Sequence, residues 1–116
     1  MLKKEFRIRK QKDFDRIFGK EGIFFSHSFI SLKTVGSDFP YPRFGFIVSN
    51  KVSKRAVRRN RTKRLLREAV QAAWPHIKPG IDAVIIARSD LSEKELGEVK
   101  TAVDILLKKS GLLIKK

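Results

Sequence analysis

The chain has 116 residues, with 27 Lys plus Arg against 12 Asp plus Glu and a formal net charge of +15 at pH 7. Its 41% hydrophobic content, with nine Phe, is enough to fill one modest core, so a disordered chain is excluded and a single domain over residues 1–116 is expected. The absence of Cys excludes disulfide frameworks, thiolate zinc sites and thiol enzymes. The opening MLKKEFRIRKQKDF has no apolar run of signal-peptide length, and no later stretch reaches the roughly 18 residues of a spanning helix. A cytoplasmic chain with no membrane partner is expected.

Lys10 to Phe18, KQKDFDRIF, sets Phe14, Ile17 and Phe18 at helical spacing, with Asp13 near the start to complement the dipole, and predicts a short amphipathic helix. After Gly19 and Gly22, IFFSHSFISLKTV is rich in Phe, Ile, Ser and Thr and alternates at Ile30 and Leu32, which predicts one bent strand or two short ones. The turn formers of GSDFPYP, Gly36 to Pro42, predict a loop, and Arg43 to Ser49 resumes strand character, with Gly45 marking a close backbone approach. From Ser53, a predicted N-cap, no Pro or Gly occurs until Pro75, which allows a helix of roughly 20 residues. Thr62, Leu66, Ala69, Val70 and Ala73 share one face, and continuing that face backward at about 100° per residue lands on Arg59 and Arg55. Only the second half of this helix can therefore be buried in the ordinary way; the first half overhangs the sheet or lines a basic cleft beside it. IDAVIIAR, Ile81 to Arg88, reads as a strand buried on both faces. Ser92 with Glu95 forms a capping-box pattern opening a helix to Lys109, whose stripe of Leu96, Val99, Val103, Leu106 and Leu107 closes the core. The sum is an α+β fold in which helices cover a small sheet, four-stranded in the order αβββαβα when the run after Gly22 is taken as two strands.

The charge is local. Residues 51–67 carry nine basic and no acidic side chains, and residues 1–20 carry eight against three. A solvated helix face mixes signs so that pairs four apart stabilise it, whereas 51–67 contains no acidic partner, and a polyanion is the implied one. Arg forks match phosphate, Lys adds point charge and exposed Phe offers a stacking surface, which together suit RNA. Chemistry borne by the chain itself is not expected. The acidic residues are scattered, His27 and His76 fall in a strand and a loop, and no nucleophile–His–acid arrangement or phosphate-cradling Gly motif is present, so no catalytic and no metal-ligating residue is assigned. A structural RNA-binding protein of ribosomal type is the alternative reading of the same charge.

The stretch FGFIVSNKVSKRAVRRNRTKRLLREAV, Phe44 to Val70, with Arg59-Asn60-Arg61 followed by Lys63-Arg64, resembles the signature region of the bacterial ribonuclease P protein component. KQKDFDRIF at Lys10–Phe18 and IIAR at Ile85–Arg88 are similar to that family's flanking segments, so the resemblance spans nearly the whole chain. It implies an accessory subunit of a ribonucleoprotein endoribonuclease that removes the 5′ leader of precursor tRNA, with the active site and its Mg2+ in the RNA. The implied partners are that catalytic RNA and precursor tRNA, with no obligate protein partner and no cofactor held by the protein. By position, the resemblance places Lys51, Lys54, Arg55, Arg58, Arg59, Asn60, Arg61, Lys63, Arg64 and Arg67 on the RNA-binding basic helix. It places Phe14, Phe18, Ile30 and Leu32 in the leader cleft. It also implies a left-handed β-α-β crossover around the basic helix, against the usual rule.

Overall fold

The apolar run at residues 81–87 becomes the strand around which the other elements are arranged. In the computed structural model, which describes residues 3–114, the elements are α1 (Gln11–Ile17), β1 (Ile23–His27), β2 (Ile30–Gly36), β3 (Arg43–Ile47), α2 (Ala56–Ala73), β4 (Ile81–Ala87) and α3 (Leu96–Lys109). Short 3-10 turns at Lys4–Phe6 and Trp74–His76 complete the order. The sheet runs β1-β2-β4-β3, with β2 antiparallel to both β1 and β4, and β3 parallel to β4. The last sheet strand in sequence thus lies between β2 and β3. α2 is the crossover that joins the two parallel neighbours.

The run after Gly22 forms two strands. They are joined at Ser28–Phe29, where Ser28 takes φ 55° while Phe29 does not enter the positive region, the pattern of a tight hairpin turn of type II′. Alternation then sorts the sheet's two faces. Ile30, Leu32, Phe44, Ala83 and Ile85 lie in the main core with Leu66, Ala69 and Val70 of α2 and Val103, Leu106 and Leu107 of α3. Each fully buried Leu or Phe there contributes about 1.5–3 kcal/mol. On the other face, Val84 of β4 packs with Ile8 and Ile17, joined by half-buried Phe14, Val35, Ile47 and Ile86. β4 is buried on both faces, as its composition implies.

The buried stripe of α2 is the expected one extended by Leu65. Its start differs from expectation. Arg55, not Ser53, holds the N-cap position, and Ser53 Oγ accepts the Arg55 backbone N–H at 3.2 Å from the turn before it. α2 ends where Trp74-Pro75 forbids another helical turn. Nor does Ser92 cap α3. Residues 91–94 close a turn through Lys94 N–H to Leu91 O at 2.9 Å, so the helix begins four residues after Ser92, with Glu95 at its N-cap. Among the described residues, no helix is long and apolar enough to cross a membrane.

Candidate nucleic-acid interface

The face of the sheet that carries α1 is only partly covered by it. Helical geometry puts Phe14, Ile17 and Phe18 on the sheet side of this short helix. Ile17 is fully buried, and the Phe14 ring lies over Gly45, where an added Cβ would stand 3.0 Å from Phe14 Cε1. Gly45 is thus the close backbone approach expected of it. Beyond Phe14 the face opens into a shallow trough: Phe18 is 40% exposed, Phe24 58%, and Ile47 and Ile86 are half-buried. Lys33, paired with Phe24 across β1 and β2, reaches over the Phe18 ring at 5.5 Å and donates to the Phe18 carbonyl at 3.4 Å.

Ile30 and Leu32 do not belong to this trough. Both are completely buried in the core under α2 and α3. Their neighbours of opposite parity, Ser31 and Lys33, lie on the α1 side, because a strand's side chains alternate and one step of register exchanges the faces. Phe24, Lys33, Ile47 and Ile86 are the trough residues that sequence reasoning does not assign. Phe24 and Lys33 meet only through the β1–β2 pairing, which no local pattern in the sequence announces.

α1 is tied to this face by a buried carboxylate. Asp82, fully buried, lies opposite Arg43 in the β3–β4 register and accepts from Arg43 at 2.9 Å (Nε) and 2.6 Å (Nη2), and also from Arg16 of α1. Arg43 reaches Asp13 at 3.4 Å, and Arg16 donates to the Gly36 carbonyl at 2.9 Å. The hydrogen bonds to Asp82 raise the Arg43 guanidinium above its ordinary pKa against the opposing effect of burial.

At the end of β3 the chain turns through Ser49–Lys54 into α2, and Asn50, Lys51, Lys54 and Arg59 line a cavity of about 470 Å³. The Arg59 guanidinium folds back to donate to the Ser53 carbonyl at 2.9 Å. The first turn of α2 contains no acidic residue, so the positive end of the helix dipole adds to these cations. Along α2, Arg59, Lys63 and Arg67 recur every four residues on one flank, about 6 Å apart, with Asn60 and Arg64 exposed beside them. Lys51, Lys54, Arg55, Lys63, Arg64 and Arg67 make no ion pair among the described residues. Arg67 is held below the usual guanidinium pKa, first by burial and then by the neighbouring charges of Arg7 and Arg64. Such crowding of like charges is relieved by an external anion.

The other flank of α2 differs from the expectation that 51–67 lacks acidic partners. Arg58 pairs with Asp90 at 3.0 Å and Glu93 at 3.2 Å, and Arg61 Nε donates to the Ser92 carbonyl. These partners come from the β4–α3 turn, so among the described residues Arg58 is the α2 cation that acidic side chains of the protein neutralise. Hydrogen bonds from Ser92, helped by Arg58, bring the Asp90 carboxyl down to about 2 from an ordinary 3.8. A carboxyl lowered in the folded state contributes stability that is present above its unfolded value and is lost as pH falls through the folded one. The urea midpoint of Asp90→Asn should therefore lie below the parent's at pH 5 and converge with it as pH drops from about 4 to 2; parallel curves would remove Asp90 from the pH dependence.

Comparison with known proteins places these features. A model of the family described as Ribonuclease P matches residues 2–111. The chain belongs to the ribonuclease P protein family. The ribonuclease P protein component of Geobacillus kaustophilus is 37% identical over 114 residues, covering 98% of this chain and 93% of that protein. That of Lactococcus lactis subsp. lactis is 38% identical over 113 residues, covering 97% and 94%. Among solved structures, the RNase P protein of Thermotoga maritima superposes with a TM-score of 0.78 at 33% identity, covering 89% of this chain and 96% of that one. A Staphylococcus aureus RNase P protein mutant, described as having defective mRNA degradation activity, reaches 0.85 at 29% identity over 95% and 92%. Membership in this family carries a role in ribonuclease P, a tRNA-processing enzyme of which such proteins are components. Among the described residues, no three His, Cys, Asp or Glu gather closely enough to hold a metal ion.

Proposed function

We propose that this chain is the accessory protein subunit of a bacterial-type ribonuclease P, working in the cytoplasm. It binds the catalytic RNA through the open flank of α2 and the turn before it, and holds the 5′ leader of precursor tRNA in the trough between α1 and the sheet. The observation that carries this reading is the combination, in a member of this family, of α2 cations that make no ion pair among the described residues with a half-apolar trough at the end of the strand leading into that helix. Two RNAs repel where they meet. Cations held in place without internal counterions reduce that repulsion, and the trough favours precursor over mature product because only the precursor has a leader to place in it. The scissile step is assigned to magnesium bound by the RNA; this chain binds and orients.

Reconstitution tests the reading. Added to a bacterial ribonuclease P RNA at low magnesium, the chain should raise precursor tRNA cleavage and bring precursor binding above that of mature tRNA. Leader removal by the protein without RNA, or no gain with RNA, overturns it. Within the trough, Phe18→Ala should lower leader affinity by roughly 1–3 kcal/mol if a base stacks on the ring, measured as the precursor-minus-mature difference. An unchanged difference returns Phe18 to a packing role.

A further inference from the structure

α1 has a second side. Lys12, Asp13 and Arg16 face away from the trough and, with the N-terminal segment and the β2–β3 loop, line a separate cavity of about 790 Å³. Seven of its lining residues are basic and three acidic, and one of those acids, Asp13, is already engaged with Arg43. Arg16 and Arg43 are held by Asp82, whereas Lys4, Arg9, Lys10 and Lys12 are exposed and make no ion pair among the described residues. The field inside is therefore positive and is not cancelled from within.

An aromatic wall bounds the same cavity. Phe39 is 42% exposed at its rim, with the Arg43 guanidinium 4.2 Å from its ring centroid. Behind it the rings continue inward, Phe39 to Tyr41 at 5.5 Å, Tyr41 to Phe6 at 5.1 Å and Phe6 to Trp74 at 4.9 Å. The loop that presents Phe39 is pinned at its base, since Phe39 N–H donates to Ser37 Oγ at 3.1 Å, Ser37 N–H to Gly80 O at 2.9 Å, and Arg16 to Gly36 O. An apolar ring kept in water by a braced loop, with a row of exposed cations lining the same cavity, matches what an unpaired nucleotide requires: a π face for the base and point charges for the phosphates. A structured duplex would not fit, because its bases are stacked on each other and offer no free face to Phe39.

We infer that this cavity is a second site for single-stranded RNA, distinct from the α1–sheet trough, in which a base stacks on Phe39 and the adjoining phosphates meet Arg9, Lys10 and Lys12. The inference goes beyond the assignment of leader and catalytic RNA to the trough and to α2, and rests on it only in taking the chain as an RNA binder. α1 then divides two paths, one on each side.

The test uses the full chain and a hexamer of uridylate carrying 4-thiouridine. Irradiation should attach the hexamer to the peptide containing Phe39, and Phe39→Ala should lower that adduct roughly five- to tenfold while leaving adducts near Phe18 in place. The Lys10→Ala/Lys12→Ala pair, which leaves the aromatic wall intact, should weaken the same adduct and flatten the salt dependence of hexamer binding by about 1.4 in log–log slope. Thermal midpoints of the variants verify folding, and the lysine pair keeps the test open if Phe39→Ala folds poorly. No adduct between residues 36 and 43, or an adduct of undiminished yield in both variants, overturns the inference. Parallel reconstitution with ribonuclease P RNA separates the two readings, because wild-type stimulation together with an absent Phe39 adduct defeats the second site alone. An adduct without stimulation defeats the subunit assignment alone.

Discussion

Asp82→Ala is expected to destabilise the protein by about 3 kcal/mol, because it leaves two guanidinium groups facing an empty buried position. Arg43 is the more costly of the two: its side chain is largely enclosed, while Arg16 can turn to water. The value is set at the lower end of the range for breaking a buried pair for that reason. At roughly 4 °C per kcal/mol for a domain of this size, the thermal midpoint should fall by about 12 °C, read by calorimetry and by the urea midpoint. Asp82→Asn, which keeps the shape and some of the hydrogen bonds, should cost less. The loss should also reach the trough, since Arg16 holds α1 to the sheet and Phe14 and Phe18 ride on α1. A shift of less than about 4 °C would mean that packing of Ile17 and Phe14 alone holds the helix.

Lys63→Ala with Arg64→Ala is expected to weaken binding to ribonuclease P RNA by roughly 25- to 60-fold near 0.1 M salt, about five- to eightfold for each phosphate left without its cation, and to reduce the log–log salt slope by about 1.4 to 1.8. The fold should not suffer. Among the described residues neither side chain has an ion-pair partner, and removing two like charges from a helix rich in them relieves repulsion. Filter binding over a salt series, with circular dichroism as the folding control, decides it. A loss below threefold would place the RNA interface on another surface. Arg58→Ala provides the contrast, because that guanidinium already has Asp90 and Glu93, and its removal should act first on the packing of the β4–α3 turn.

The parts of this fold readable from the chain were those fixed by nearest neighbours along it. The stripe Thr62, Leu66, Ala69, Val70 and Ala73 follows from helical period alone, and the double burial of β4 from an unbroken apolar run. The resemblance places Ile30 and Leu32 in the cleft by position, and the strand's own period cannot correct it, because period two states that neighbours oppose one another, not which of them faces α2 and α3. That choice is set by pairing with Ala87 and Ile85 of a strand more than 50 residues away. The Ser53 and Ser92 caps failed for a related reason. A Ser ahead of a helical pattern satisfies a local rule, but at both places the chain spends a few more residues in a turn, and the hydroxyl serves that turn or a distant guanidinium. The cations of α2 looked uniform in sequence. Their division into a neutralised flank and an open one depends on Asp90 and Glu93, 32 and 35 residues from Arg58.

The strand order has a consequence for synthesis. β2 and β3 are not neighbours; each borders β4, which is made after both of them and after the whole of α2. On a translating ribosome, the most cationic half of the polypeptide therefore emerges while β3 still lacks its ladder partner. β3 gains that partner only once residues 81–87 clear the exit tunnel and the sheet can close.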